Sequence, residues 1–214
     1  EPFLQNGEQI TSEVTFVPKA PSGSVEVLFT FDAKLIKTDT NIVVFESLYS
    51  DSKELTVHAD IEDEDQTVTV YVPKIKTTAS IDGKREITTA GKVTIEDVVS
   101  YTNLIPGTEY TIRGTLMNKV TGEVFTVNGE TITAEVKFTP ENRNGEVNVT
   151  FTFDAHDLTA GTKLVVFESL YRENVEIATH KDIEDKDQTV TITPLPDVPQ
   201  TGDNSKLGVW IGLG

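Results

Sequence analysis

The chain contains no cysteine among its 214 residues. That excludes a disulfide framework and leaves other covalent staples as the chemistry to look for. Cations are scarce, with 18 Lys and Arg against 35 Asp and Glu and a net charge of −17. Nucleic acid and anionic membrane surfaces demand cationic patches, so neither is expected as a direct partner. The plain reading of the charge is a soluble, self-repelling surface. No segment carries a long helical period. No apolar run reaches the ~20 residues that span a bilayer. No signal peptide is visible, which says nothing against export in a chain expected to start inside a domain.

What is present is a repeat. His58-Ala59-Asp60-Ile61-Glu62-Asp63-Glu64-Asp65-Gln66-Thr67-Val68-Thr69 returns as His180-Lys181-Asp182-Ile183-Glu184-Asp185-Lys186-Asp187-Gln188-Thr189-Val190-Thr191. The offset, 180 − 58 = 122, also carries Val43–Tyr49 onto Val165–Tyr171, and Glu1 and Phe3 onto Glu123 and Phe125. A tandem array of one domain type follows. Residues 74–193 form the complete unit and residues 1–73 the back part of another. The sequence is therefore read as the C-terminal piece of a longer protein. A Glu, a His and a Gln keep their spacing in both copies: Glu46, His58 and Gln66, then Glu168, His180 and Gln188.

Val, Ile, Thr, Phe and Tyr alternate with polar residues in short runs bounded by Gly, Asn, Asp or Pro, which is a strand pattern. In the complete unit this predicts strands near Lys76–Ile81, Val93–Tyr101, Glu109–Asn118, Thr131–Phe138, Glu146–Asp154, Lys163–Arg172, Val175–His180 and Gln188–Thr193. Tyr110, Ile112, Gly114 and Leu116 share one face, as in a half-buried antiparallel strand. The fold class is all-β, with tandem immunoglobulin-like β-sandwich domains of which the first is truncated. A small closed barrel is the alternative. Val72-Pro73-Lys74 is a short join, from which an end-to-end, fairly stiff arrangement is expected. Residues 194–214 are expected to form a flexible, Pro-rich tail.

That tail resembles the sortase sorting signal of Gram-positive surface proteins. Val198-Pro199-Gln200-Thr201-Gly202 follows the family's Leu-Pro-x-Thr-Gly pattern with Val198 in place of Leu. A spacer, Asp203–Lys206, and the apolar run Leu207–Gly214 follow in order. The run looks like the start of a membrane-spanning anchor segment. The resemblance implies cleavage between Thr201 and Gly202 by sortase and covalent attachment to cell-wall peptidoglycan through Thr201. It implies an extracellular, wall-anchored protein.

The repeat unit resembles the VaFE repeat, the Thr–Gln ester-bond domain of Gram-positive adhesins and pilin-like stalks. The residues that carry this are Thr77-Thr78-Ala79, Thr94–Tyr101, Leu104–Gly107, Gly114–Met117, Thr121-Gly122-Glu123, Phe151–Asp154, Val165–Tyr171 and His180–Gln188. The family implies an intramolecular ester: a threonine of the first strand attacks the side-chain amide of a glutamine of the last, and ammonia leaves. Carried onto this chain the nucleophile is Thr77, or else Thr78, and the electrophile is Gln188. His180, Asp97 and Glu168 match the supporting acid and base positions. Physically, a hydroxyl needs a base, for which His180 is the natural candidate. The amide oxygen gains charge during attack, and a protonated carboxyl in reach stabilises it. Two acids held close together in a partly buried site favour one staying protonated.

The implied role is a covalently braced stalk, with a host or matrix ligand bound by a missing N-terminal part. Other readings stay open. The domains are ligand-binding adhesin modules in one. Another is a lysine isopeptide crosslink recruiting Lys76 or Lys92. A third, a threonine-nucleophile amidase acting on an outside substrate, fits poorly because self-reaction leaves no turnover site. Neither a cofactor nor a small-molecule substrate is expected. The acidic run Asp182–Asp187 offers oxygen ligands suited to calcium but lacks the EF-hand spacing and its glycine, so no metal is expected. His156 reads as a surface histidine. Gln66 is expected to be unreacted, since its Thr and Asp partners would precede residue 1, and its half-domain is expected to lack one or more strands.

Overall fold

The computed structural model describes residues 1–89, 91–156 and 158–195. The chain divides into two compact units, Glu1–Lys74 and Ile75 onward. The tail expectations on Val198–Gly202 and on the apolar run Leu207–Gly214 lie outside the described residues. No helix among the described residues is long and apolar enough to cross a membrane.

The first unit holds six short strands: β1 (Leu4–Gln5), β2 (Glu8–Gln9), β3 (Thr40–Val43), β4 (Glu46–Ser50), β5 (Lys53–His58) and β6 (Thr67–Val70). They pair two by two, β1 with β2, β3 with β6 and β4 with β5. Most of their side chains face solvent, and Ile36 is the buried residue among the described positions of this unit.

The second unit is a two-layer all-β fold. Its strands are β7 (Lys74–Ser80), β8 (Glu86–Thr89), β9 (Lys92–Thr102), β10 (Tyr110–Asn118), β11 (Thr126–Val127), β12 (Glu130–Thr131), β13 (Thr133–Phe138), β14 (Gly145–Asp154), β15 (Thr162–Arg172), β16 (Val175–His180) and β17 (Thr189–Pro194). One sheet runs β14-β9-β7; the other runs β13-β10-β15-β17-β8, with β16 also paired to β15. Strict alternation drives the packing. Val93, Ile95, Val99 and Tyr101 of β9 point inward, as do Val149, Phe151 and Phe153 of β14. Tyr110, Ile112 and Leu116 of β10 and Leu164, Val166 and Leu170 of β15 meet them from the opposite sheet. Each such aliphatic or aromatic side chain contributes about 1.5–3 kcal/mol by leaving water.

Each strand expected in this unit has an observed counterpart within a residue or two at most of its ends, as alternation and turn residues dictate. The sequence reading missed β8, which pairs in parallel with β17 through Glu86↔Thr191 to Thr89↔Pro194. It also missed the small β11–β12 hairpin around the expected Val127-Asn128-Gly129 turn, where Asn128 and Gly129 both take positive φ.

Strand β15 decides where chemistry is possible. Its first half, Thr162–Val165, pairs with β17, and its second half, Glu168–Arg172, pairs with β16. Two strands therefore share one edge and leave a notch at the middle of β15. The β15–β16 hairpin closes through Glu173 and Asn174, both at positive φ (49° and 65°), the geometry of a tight two-residue turn. Residues 181–188 loop out and re-enter at the notch.

Candidate functional site

Five polar side chains named from the sequence lie almost wholly inside this unit. Thr77, Asp97, Glu168 and Gln188 are buried, at 1%, 0%, 0% and 0% exposure, and the His180 ring is mostly covered. Thr77 replaces an aliphatic residue in the inward row Ile75, Thr77, Ala79 of β7. Asp97 likewise breaks the apolar row of β9, and Glu168 the inward row Leu164, Val166, Leu170 of β15. Glu168 pairs across the sheet with His180 on one side and with Gly114 on the other. Gln188 enters the notch beside Val166, whose N–H donates to the Gln188 carbonyl at 3.1 Å.

Strand β7 closes the notch from the other sheet. The Ala79 N–H donates to the Asp187 carbonyl at 2.9 Å, and the Thr77 N–H to His180 Nδ1 at 3.1 Å. The Thr77 hydroxyl lies 3.2 Å from the same ring nitrogen. Gln188 Nε2 donates to Thr77 Oγ1 at 2.5 Å, across 111 residues of sequence. A threonine hydroxyl, an imidazole nitrogen and a side-chain amide thus meet at one point. Thr78 faces outward, as do Lys76 and Lys92, so the inward position on β7 belongs to Thr77.

The other ring nitrogen is also engaged. His180 Nε2 lies 3.1 Å from Asp185 Oδ2. Since the Thr77 N–H donates to Nδ1, Nδ1 is the acceptor and Nε2 carries the proton. The ring is therefore held in the tautomer that accepts a hydroxyl proton from Thr77. Asp185 is not singled out in the sequence, where the acidic run belongs to the repeat and the family pattern and is otherwise weighed as a calcium loop. The repeat held the signal, because Asp63 stands at the same offset and its Oδ2 lies 2.9 Å from His58 Nε2. Among the described residues no cluster of His, Asp and Glu is arranged to hold a metal ion.

Asp97 and Glu168 form a second pair. As two carboxylates they are acceptors only, and all four oxygens are buried without a donor. One proton between them supplies the missing donor. The electrostatics favour it: burial pushes Asp97 up, with the hydrogen bond to Glu168 and attraction to His180 opposing. Burial pushes Glu168 up, and the adjacent Asp97 charge and their hydrogen bond push it further. Both shifts favour the pair holding a proton at neutral pH. Gln188 Oε1 is a third buried acceptor without a donor.

Gly114 makes room for this pair. A Cβ built there would run into the Phe151 ring and lie 3.5 Å from Glu168 Oε1. The sequence places Gly114 on a buried face and within the family pattern, without a role beside Glu168.

In the first unit Glu46 pairs with His58, as Glu168 does with His180, and the Val44 N–H donates to the Gln66 carbonyl at 3.1 Å. Glu46 and His58 are exposed there, and Gln66 is half-buried with Oε1 lacking a donor. His156 lies exposed, away from these groups.

A family model described as "T-Q ester bond containing domain" matches residues 4–70 and again 73–192. Among solved structures, a bacterial adhesin from Mobiluncus mulieris containing intramolecular disulfide, isopeptide and ester bond cross-links is similar in fold, with a TM-score of 0.50 at 20% identity over 58% of each chain. A second crystal form of that adhesin gives 0.49 at the same identity and coverage. The chain thus spans 58% of the length of that adhesin chain. A glycosyl hydrolase family 2 member from Bacteroides cellulosilyticus matches at 0.40 and 14% identity, over 59% of this chain and 15% of its own. No curated protein matches the chain.

Proposed function

The chain belongs to the family of T-Q ester bond containing domains, and from that premise we propose that its second unit welds itself through an ester between Thr77 and Gln188. The observation that carries this is the buried contact of the Gln188 amide with the Thr77 hydroxyl, 2.5 Å apart, with His180 Nδ1 3.2 Å from that hydroxyl. His180 takes the Oγ1 proton as the oxygen attacks Cδ of Gln188. Charge grows on Oε1, where the proton held by the Asp97–Glu168 pair stabilises it. The imidazolium then gives the Oγ1 proton to Gln188 Nε2, the C–N bond breaks, and ammonia leaves. Thr77 has lost a proton and Gln188 an NH2 group, so one ammonia is lost per ester. Asp185 stabilises the imidazolium formed midway. Each group acts once, because the product is the domain itself.

The setting we propose is a braced stalk module of an extracellular adhesin. The fold likeness to a cross-linked adhesin supports it. The sorting-signal resemblance at Val198–Gly202 supports sortase attachment to peptidoglycan through Thr201.

The intact mass of the full chain tests the chemistry. Loss of one ammonia, ~17 Da, is expected in the parent and in neither Thr77→Ala nor Gln188→Ala. Mild alkali or hydroxylamine should cleave the link, as an ester and not an isopeptide. An unshifted mass in folded protein would overturn the proposal.

A further inference from the structure

Gln188 has to be presented to Thr77 at the end of an acidic turn whose own side chains repel one another. Within it, Asp182 and Asp185 accept backbone N–H groups two residues on, from Glu184 and Asp187. These bonds shape the turn but do not anchor it against the sheet. Lys119 holds its early part, donating to the Ile183 carbonyl at 2.7 Å and lying 3.4 Å from Glu184 Oε2. Arg85 holds the part next to Gln188. Its Nη2 lies 2.6 Å from Asp187 Oδ1, and its Nη1 donates to the Lys186 carbonyl. Its own carbonyl accepts from the Thr191 N–H at 2.7 Å. Arg85 thus bonds to the chain on both sides of Gln188, at 186 and 187 before it and at 191 after it.

The contact is tied to the nucleophile as well. Arg85 sits in the short connection from β7 to β8, closed by paired bonds between Ile81 and Lys84. Strand β7 carries Thr77 and contributes the Ala79 bond to the Asp187 carbonyl. One excursion of the chain, residues 77–89, therefore carries the nucleophile at its start and clasps the electrophile's segment at its end.

We propose that Arg85 is a positioning residue for ester formation: its guanidinium fork fixes the Lys186–Asp187 backbone so that the Gln188 amide meets Thr77 in reacting geometry. This rests on the Thr77–Gln188 reading above. A planar fork engaging a carboxylate and a carbonyl together is a task for which lysine is a poor substitute. Misplacement of a reacting group by about 1 Å can cost on the order of 100-fold in rate.

The test uses the full chain, collected unreacted in urea and refolded by dilution, with ammonia loss followed by intact mass against time. Arg85→Ala is expected to form the crosslink roughly 10- to 100-fold more slowly than the parent. Tens of millimolar methylguanidinium should restore much of the rate, and equal methylammonium or sodium chloride should not. Arg113→Ala is the control. Arg113 Nε lies 2.8 Å from Glu135, with the two side chains 46% and 48% exposed, against 44% and 47% for Arg85 and Asp187. It removes an equally exposed arginine–carboxylate pair on the outer face of β10, opposite the face that carries Gly114, and should react at the parent rate. Arg85→Ala within about twofold of the parent would overturn the proposal. So would a slow variant indifferent to methylguanidinium, which assigns the loss to general destabilisation. A parent that never loses ammonia would instead sink the ester reading itself.

Discussion

At the scale of single residues, the unit places polar groups where its alternation calls for apolar ones. Thr77, Asp97 and Glu168 each interrupt an inward row. Burying two carboxyls opposes folding unless one is neutral. That yields a pH prediction for the Thr77→Ala chain, which cannot form the proposed crosslink. The folded carboxyl of Glu168 is raised from 4.5 to about 10. A raised group contributes stability fully below its unfolded value and loses it as pH rises through the folded one. Stability of Thr77→Ala in urea should therefore fall between about pH 4.5 and pH 10. Adding Glu168→Gln, which cannot ionise, should flatten that fall; an unchanged slope would contradict it. The residue scale also shows how much of the site was legible. His180, Glu168 and Gln188 stand out because the repeat preserves them, and Thr77 and Asp97 come from the family pattern. Asp185 did not stand out, because one acid among six residues of mostly like charge carries no mark until the fold turns it toward a ring.

Secondary structure elements explain why these groups meet. The split edge of β15 is the device: β16 delivers His180 to one side of the notch, β17 begins just after Gln188 on the other, and β7 crosses from the opposite sheet. Strand β10 supports the floor through Gly114, which pairs with Glu168. Gly114→Ala should cost about 1–3 kcal/mol in the Thr77→Ala background, since the Phe151 ring must move for the methyl. A urea midpoint unchanged from the background would show that the space is not tight. Most of these strands were readable because two-residue alternation is a local signal. Strand β8 was not, since Ile87 is its one apolar residue and its parallel partner lies about a hundred residues away. Pairing order, and hence the notch, is likewise a property of the assembled sheet, invisible to periodicity.

For the whole molecule, the repeat made the existence of two related units plain, and the structure shows how differently they stand. The second is a closed sandwich with a full core, while the first keeps the same Glu–His pairing and the same Gln carbonyl bond on a largely exposed set of strands. A link from Thr77 to Gln188 would close a loop spanning 111 residues of the second unit. By analogy with a disulfide over such a loop, it should add roughly 4–5 kcal/mol, so Gln188→Ala should unfold in urea well before the parent. Equal midpoints for the two would contradict that. Pull applied at the ends of the unit would also pass through the ester and spare the β-ladders, which suits a stalk. The central claim is most directly tested by tandem mass spectrometry of the trypsin-digested folded chain. Cleavage after Lys76, Lys84, Lys186 and Lys206 releases residues 77–84 and 187–206 as separate peptides. They are expected joined, minus one ammonia, with fragmentation placing the bond at Thr77 and Gln188, and the pair persisting in Thr78→Ala. Two linear peptides with both residues unmodified, or a bond at Thr78, would contradict it.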